Sequence, residues 1–314
     1  MRLASLFIAF LVTASSFSAA AAEPIKELNI SYVKPPFVLQ LLIMKNHKLL
    51  EKEFQTDGIK INWHNMGTSP QAARAMGSGS LDIAGNMNTA ALLILNSEGL
   101  PVRVVTGTAH PTSNFAIVSK PGTEFSVKDL KGKQVVGPKG TFLHQLLVAA
   151  LEKEGMKESD VQFINMGIPK ALSTILAGHA DAALVASSAL IKANKAGAKT
   201  IINAEGLVEP TLVMTTTKQF AEEHPDIVQR VDKVYAESLQ WMRDHPTETA
   251  EMGAKEHGIS VEDAKTLMER SHYFDKMTSK DLEDLKVNQK FLRDNGMMRN
   301  EVTVEELVLP VAME

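Results

Sequence analysis

Short apolar runs, each closed by glycine, proline or a small polar residue, alternate along the chain with longer stretches whose apolar residues recur every three or four positions. Runs of the first kind cover 28–33, 59–63, 82–85, 114–119, 134–137, 161–164, 182–185 and 211–215. Their length predicts strands, and the stretches between them predict helices. Strand, tight turn and helix in regular succession is the grammar of parallel sheets with crossover helices, so the fold class is α/β. From Ala221 onward the pattern becomes helical throughout. Pro225 suits a first helical turn, Ser260-Val261-Glu262-Asp263 and Thr303-Val304-Glu305-Glu306 read as capped helix starts, and Gly296 reads as a stop after 281–295.

The order of these elements repeats. After the first strand comes Lys34-Pro35-Pro36-Phe37 followed by Gln40-Leu41-Leu42; after the fifth comes Lys139-Gly140-Thr141-Phe142 followed by Gln145-Leu146-Leu147. Asn65-Met66-Gly67 leads into a helix-like run ending Gly79-Ser80-Leu81-Asp82. Asn165-Met166-Gly167 leads likewise into one ending Gly178-His179-Ala180-Asp181. Two matches in the same order, each spanning strand, turn and helix, point to two lobes built on one plan. The runs 114–119 and 211–215 bracket the second unit and read as the crossings between lobes. This predicts a discontinuous first lobe of 23–113 plus 216–314, with a second lobe of 114–215 inserted.

In open parallel sheets, ligands bind beyond the carboxyl ends of the strands, so two facing lobes would line a cleft with their turns. Those turns supply Lys34, Phe37, Gly67, Thr68, Ser69, Asn86, Asn88, Thr89, Gly140, Thr141, Phe142, His144, Ser187 and Ser188 as candidate ligand-binding residues. They are hydroxyls, amides, glycines and a few cations, with no carboxylate. Such a set suits a small anion, because free helix-start amides and the helix dipole favour negative charge. Gly140-Thr141 is the leading pair, with helix capping as the alternative role of Thr141. Packing is the alternative for His144, Phe37 and Phe142, and a solvated rim position for Lys34 and Lys139. Loop self-capping competes for Asn86, Asn88, Thr89, Ser187 and Ser188. His110, just before the first crossing, is a further candidate. Asp82 and Asp181 read as turn residues that satisfy backbone amides, not as a catalytic pair.

Composition narrows the class. The 314 residues are 44% hydrophobic, enough for two cores, and the 33 basic and 37 acidic residues give a charge of −4, which argues against general nucleic-acid binding. The absence of cysteine excludes disulfides, thiolate metal sites and cysteine nucleophiles. Residues 1–22 have a positive start at Arg2, a short apolar run and the small-residue exit Ala20-Ala21-Ala22, the pattern of a cleavable secretory signal. Its apolar part is shorter than the ~20 residues a membrane span needs. Export without disulfides or a lipid site predicts a periplasmic protein, monomeric and free of cofactors. No dinucleotide or phosphate loop, serine-hydrolase elbow or zinc-helix motif occurs, and no metal-ligand spacing.

The chain resembles the periplasmic substrate-binding proteins of ABC importers in the aliphatic sulfonate/nitrate/taurine group, which also includes thiamine-precursor binders. The resemblance rests on the signal peptide, the Lys34–Phe37 turn, 75–83 (AMGSGSLDI), 127–133 (VKDLKGK), Lys139-Gly140-Thr141 with His144, and 220–225 (FAEEHP). It implies a type II-like fold, closure of two lobes on a ligand, and delivery to an ABC permease in the inner membrane. It also implies binding loops at Gly67-Thr68-Ser69, 85–89, Gly140-Thr141 with His144, and Ala186-Ser187-Ser188. Sulfonate binders of the group often carry Lys-Gly-Ser-Ser where this chain has Lys139-Gly140-Thr141-Phe142, and a Trp-Asp-Pro-like run where it has Ala186-Ser187-Ser188. An aromatic or heterocyclic, pyrimidine-like solute is therefore an alternative ligand. An enzyme with His144 as base, and a sensor subunit, are alternative functions. The exported chain is expected to begin at Glu23; intact-mass measurement of the secreted protein checks this, and retention of residues 1–22 would contradict it.

Overall fold

The computed structural model describes residues 25–33, 37–66 and 68–313. The signal sequence and the candidates Lys34 and Gly67 lie outside them. The strands are β1 (Glu27–Tyr32), β2 (Lys60–Asn65), β3 (Ile83–Asn88), β4 (Val102–Ala109), β5 (Phe115–Ser119), β6 (Gln134–Gly137), β7 (Gln162–Asn165), β8 (Ala182–Ala186), β9 (Thr200–Asn203) and β10 (Leu212–Thr217). They form two five-stranded sheets, in the orders β2-β1-β3-β10-β4 and β7-β6-β8-β5-β9. The orders are equivalent strand for strand. In each sheet the first three neighbours are parallel, and the fourth (β10 or β5) runs antiparallel to both its neighbours. Each sheet is thus mixed.

Around the sheets lie α1 (Leu39–Asn46), α2 (Leu49–Glu53), α3 (Ser69–Gly77), α4 (Thr89–Ser97), α5 (Phe142–Lys153), α6 (Ile168–Leu176) and α7 (Ser188–Lys195). The C-terminal third supplies α8 (Lys218–Glu223), α9 (Pro225–Asp244), α10 (Pro246–His257), α11 (Val261–Glu269) and α12 (Ser279–Asp294). Several ends follow local chemistry. Pro225 opens α9, Ser260 and Asp263 form a capping box on α11, and Gly296, at φ 65°, follows the end of α12. Thr303 does not start an α-helix: 304–307 is one 3₁₀ turn without a side-chain cap.

The repeat is visible in the hydrogen bonds. α3 and α6 both end at a glycine in the left-handed region, Gly79 at φ 71° and Gly178 at φ 72°. The next residue's N–H reaches back into the last turn in both, Ser80 to Ala75 and His179 to Thr174. The aspartates that follow pair with the neighbouring strand in the same way. Asp82 donates its N–H to the Asn29 carbonyl and accepts the Asn29 N–H at 2.7 Å; Asp181 does the same with Gln134, accepting at 3.2 Å. Asp181 also accepts from Lys120, and that bond chiefly holds its carboxyl below the ordinary aspartate range.

Neither run expected to cross between lobes does so. Most of 114–119 is β5, bonded on both sides within the second sheet, and most of 211–215 is β10, bonded on both sides within the first. Apolar strands look alike whether they join a sheet or link two, so composition alone does not assign them. The crossings are the short connections β4–β5 and β9–β10. In the first of these Asn114 is fully buried; its backbone carbonyl accepts from the Ser187 N–H at 2.8 Å, and its Nδ2 donates to Leu267 O in the last turn of α11 and to Ser271 Oγ just beyond it. Replacing Asp82 or Asp181 by alanine leaves a strand-edge amide unpaired, and each is expected to cost about 1–3 kcal/mol of stability. Denaturant unfolding measures this; loss below a few tenths in both would remove their role as strand clamps.

Candidate functional site

Four helices begin at one gap between the sheets. In the first lobe these are α3, capped by Thr68, and α4, capped by Asn88; in the second they are α5, which starts after Thr141, and α6, which starts after Gly167. The cavity there, with about 560 Å³ of atom-free space partly open to solvent, is lined by Ser31, Val33, Met66, Thr68, Ser69, Ala72, Asn86, Asn88 and Leu212 from the first lobe. Phe115, Pro138, Thr141, Leu143 and Ile168 line it from the second. No lining residue described is charged.

The two halves of the wall differ in how their helix starts are satisfied. In the first lobe Thr68 Oγ1 accepts from the Gln71 N–H at 3.3 Å and Asn88 Oδ1 accepts from the Ala91 N–H at 2.9 Å. Asn88 Nδ2 donates to Ser69 Oγ at 3.0 Å and ties the two starts together. In the second lobe neither α5 nor α6 has a side-chain cap. The Thr141 hydroxyl instead donates to the Pro138 carbonyl at 2.9 Å. First-turn amides without a side-chain acceptor, at the positive ends of two helix dipoles, are an anion-binding arrangement.

Of the sequence candidates, Thr68, Ser69, Asn86, Asn88 and Thr141 are brought together in this wall. Asn86 and Asn88 belong to β3, which continues beyond the expected 82–85 strand. Thr89 is buried at the start of α4, and Gly140 turns the chain at φ 68°; neither lines the cavity. Four candidates point elsewhere. Phe37 packs in a separate core against His257, ring centres 4.6 Å apart. Phe142 faces the opposite side of α5, toward α12. Ser187 is buried at φ 50°, and Ser188 bonds His257 Nδ1 at 3.0 Å across the lobes.

His144 is the clearest departure. Its ring is 2% exposed, stacks on Phe163 at 5.0 Å between centres, and puts Nε2 3.2 Å from Glu158 Oε1. It has no access to the cavity as ligand contact or base. Lys139 is exposed and also faces Glu158. His110 stacks on Phe274 at 4.1 Å, with Nε2 3.3 Å from Asp281, and likewise does not line the cavity. The apolar part of the wall lies outside the candidate set: Phe115 opens β5, and Leu143 and Ile168 lie in the first turns of α5 and α6. Among the described residues no His, Cys, Asp or Glu cluster could hold a metal ion.

Two lobes of matching strand order around a neutral gap at helix starts make the architecture of the periplasmic binding proteins. The chain belongs to the family described as NMT1/THI5 like, which matches residues 53–249. A protein of Escherichia coli (strain K12), provisionally named as aliphatic sulfonates-binding, is 25% identical over 258 residues, covering 81% of this chain and 79% of its own length. The taurine-binding periplasmic protein of the same strain is 29% identical over 187 residues, 58% of either chain. In fold, the chain is similar to the alkanesulfonate-binding protein SsuA from Xanthomonas axonopodis pv. citri, with a TM-score of 0.79 at 20% identity over 92% of this chain and 99% of that one.

Burial, the largest influence, holds the pKa of His144 below its ordinary value, against the opposing pull of Glu158. The unfolded chain then takes up the proton more readily, so stability is complete above about pH 6.5 and falls as the pH drops through that value. The expected result is a melting temperature that decreases from about pH 7 to 5, with a shallower decrease in His144→Gln and unchanged ligand affinity at neutral pH. Affinity lost in that variant while the fold is retained would place the ring at the site after all.

Proposed function

We propose that this chain is the periplasmic solute-binding component of an ABC importer, capturing a small organic anion between its lobes and presenting it unaltered to an inner-membrane permease. The observation that carries the reading is the meeting of four helix starts, two from each lobe, around a cavity with no charged lining residue described. A sulfonate suits it: three acceptor oxygens and one delocalised charge can be shared among N–H and hydroxyl groups of both lobes without a lysine or arginine. Because both lobes contribute, the ligand gains contacts only when they approach, and binding shifts the population toward the closed form. The names of the two relatives, aliphatic sulfonates-binding and taurine-binding, support the same ligand class.

Binding without turnover is supported by the lining itself. Among the described residues it contains hydroxyls and amides but no histidine, carboxylate or lysine to move a proton. The secretory pattern of residues 1–22 and the periplasmic relative support the location, and the chain is read as a monomer that takes neither cofactor nor nucleic acid.

The test is titration calorimetry with short alkanesulfonates, nitrate, carboxylates and pyrimidines. An alkanesulfonate is expected to bind and to raise the melting temperature. Thr141→Val is expected to weaken it by about 1–2 kcal/mol, roughly five- to thirtyfold, through one lost polar contact. Binding of a pyrimidine alone would favour the heterocyclic alternative, and melts unmoved by every small molecule would end the transport reading.

A further inference from the structure

We infer that the cavity selects an anion with an apolar tail and rejects a zwitterion of the same shape. This rests on the anion-binding reading above and concerns the end of the ligand remote from its negative group. Eight of the fourteen lining residues are apolar, and no aspartate or glutamate is among them. An ammonium group carried into the gap would therefore lose its water without gaining a counter-charge, and such groups are buried only when paired. The helix starts make matters worse for it. All four turn their positive ends toward the same space, so the field that attracts the sulfonate repels a cation anywhere in the cavity.

Acids close to the lining in the chain are already occupied. Asp82 is tied to Asn29, Glu27 accepts from Lys60 and Asn62, Glu209 accepts from Thr112, and Glu158 faces His144 and Lys139. Asn86 is 7% exposed, and its Oδ1 has no hydrogen-bond partner among the described residues. An amide oxygen can accept from a neutral hydroxyl, but it supplies no formal charge to balance an ammonium. The apolar wall, by contrast, suits a hydrocarbon tail. Phe115, Leu143, Ile168 and Leu212 flank the gap from both lobes, and each methylene they bury is expected to tighten binding about fourfold.

Taurine and propane-1-sulfonate separate the two cases, since they differ only in an ammonium against a methyl group. With the full-length mature protein, calorimetry is expected to give propane-1-sulfonate at least about 100-fold tighter binding than taurine, with 2-hydroxyethanesulfonate between them. Taurine within about tenfold of propane-1-sulfonate would overturn the selectivity. Failure of all three to bind would instead remove the anion-binding reading on which it rests. The cause is tested by supplying the missing carboxylate. Ile168→Asp, at the first position of α6 where an acid is tolerated, and independently Ser31→Asp, are expected to shift the preference toward taurine by tenfold or more. Circular dichroism confirms the fold of each. A folded variant with an unchanged preference would show that the absent acid is not what excludes the ammonium. Should neither variant fold, the ratio measured on the natural chain still decides the selectivity.

Discussion

A helix cannot satisfy the first four of its own N–H groups, and in this molecule four helices leave that deficit facing one space. Everything about the site follows from where the sheets put those ends. In both sheets the three parallel strands run in one direction, so the turns into α3, α4, α5 and α6 lie along a single edge of each lobe. Facing the edges across a gap makes a region of positive potential from backbone alone. The first lobe meets part of its deficit internally through Thr68 and Asn88, while the second leaves its amides without side-chain caps. The two walls are alike in plan and unequal in what they still require.

Much of the architecture was legible in the chain because duplication writes the same constraints twice. Gly79 and Gly178 recur because both helices end in a left-handed turn, and Asp82 and Asp181 recur because both strand edges need an acceptor for an exposed amide. Such requirements are local, so they survive as residue types at fixed spacing. The placement of β10 was not legible, since membership of one sheet or the other depends on partners more than a hundred residues away.

The site divided along similar lines. Small polar residues at helix starts, Thr68, Ser69, Asn88 and Thr141, were readable from the turn chemistry they share with caps. Direction around a helix was not. On α5, Leu143 faces the cavity while Phe142 and His144, one residue to either side, are carried round to other surfaces. The residue that looked most chemical on that helix is therefore a packed ring beside Glu158, and the residue that looked like core is part of the wall.

Each antiparallel strand, β5 and β10, emerges directly from a connection between lobes and is at once bonded on both sides. A change in the gap then falls on the residues of the two links, where the Asn114 backbone carbonyl accepts from the Ser187 N–H and its side-chain Nδ2 donates to Leu267 O and Ser271 Oγ. Contacts away from the links, such as Ser188 with His257 and Lys195 with Asp263, tie the second lobe to the C-terminal helices as well.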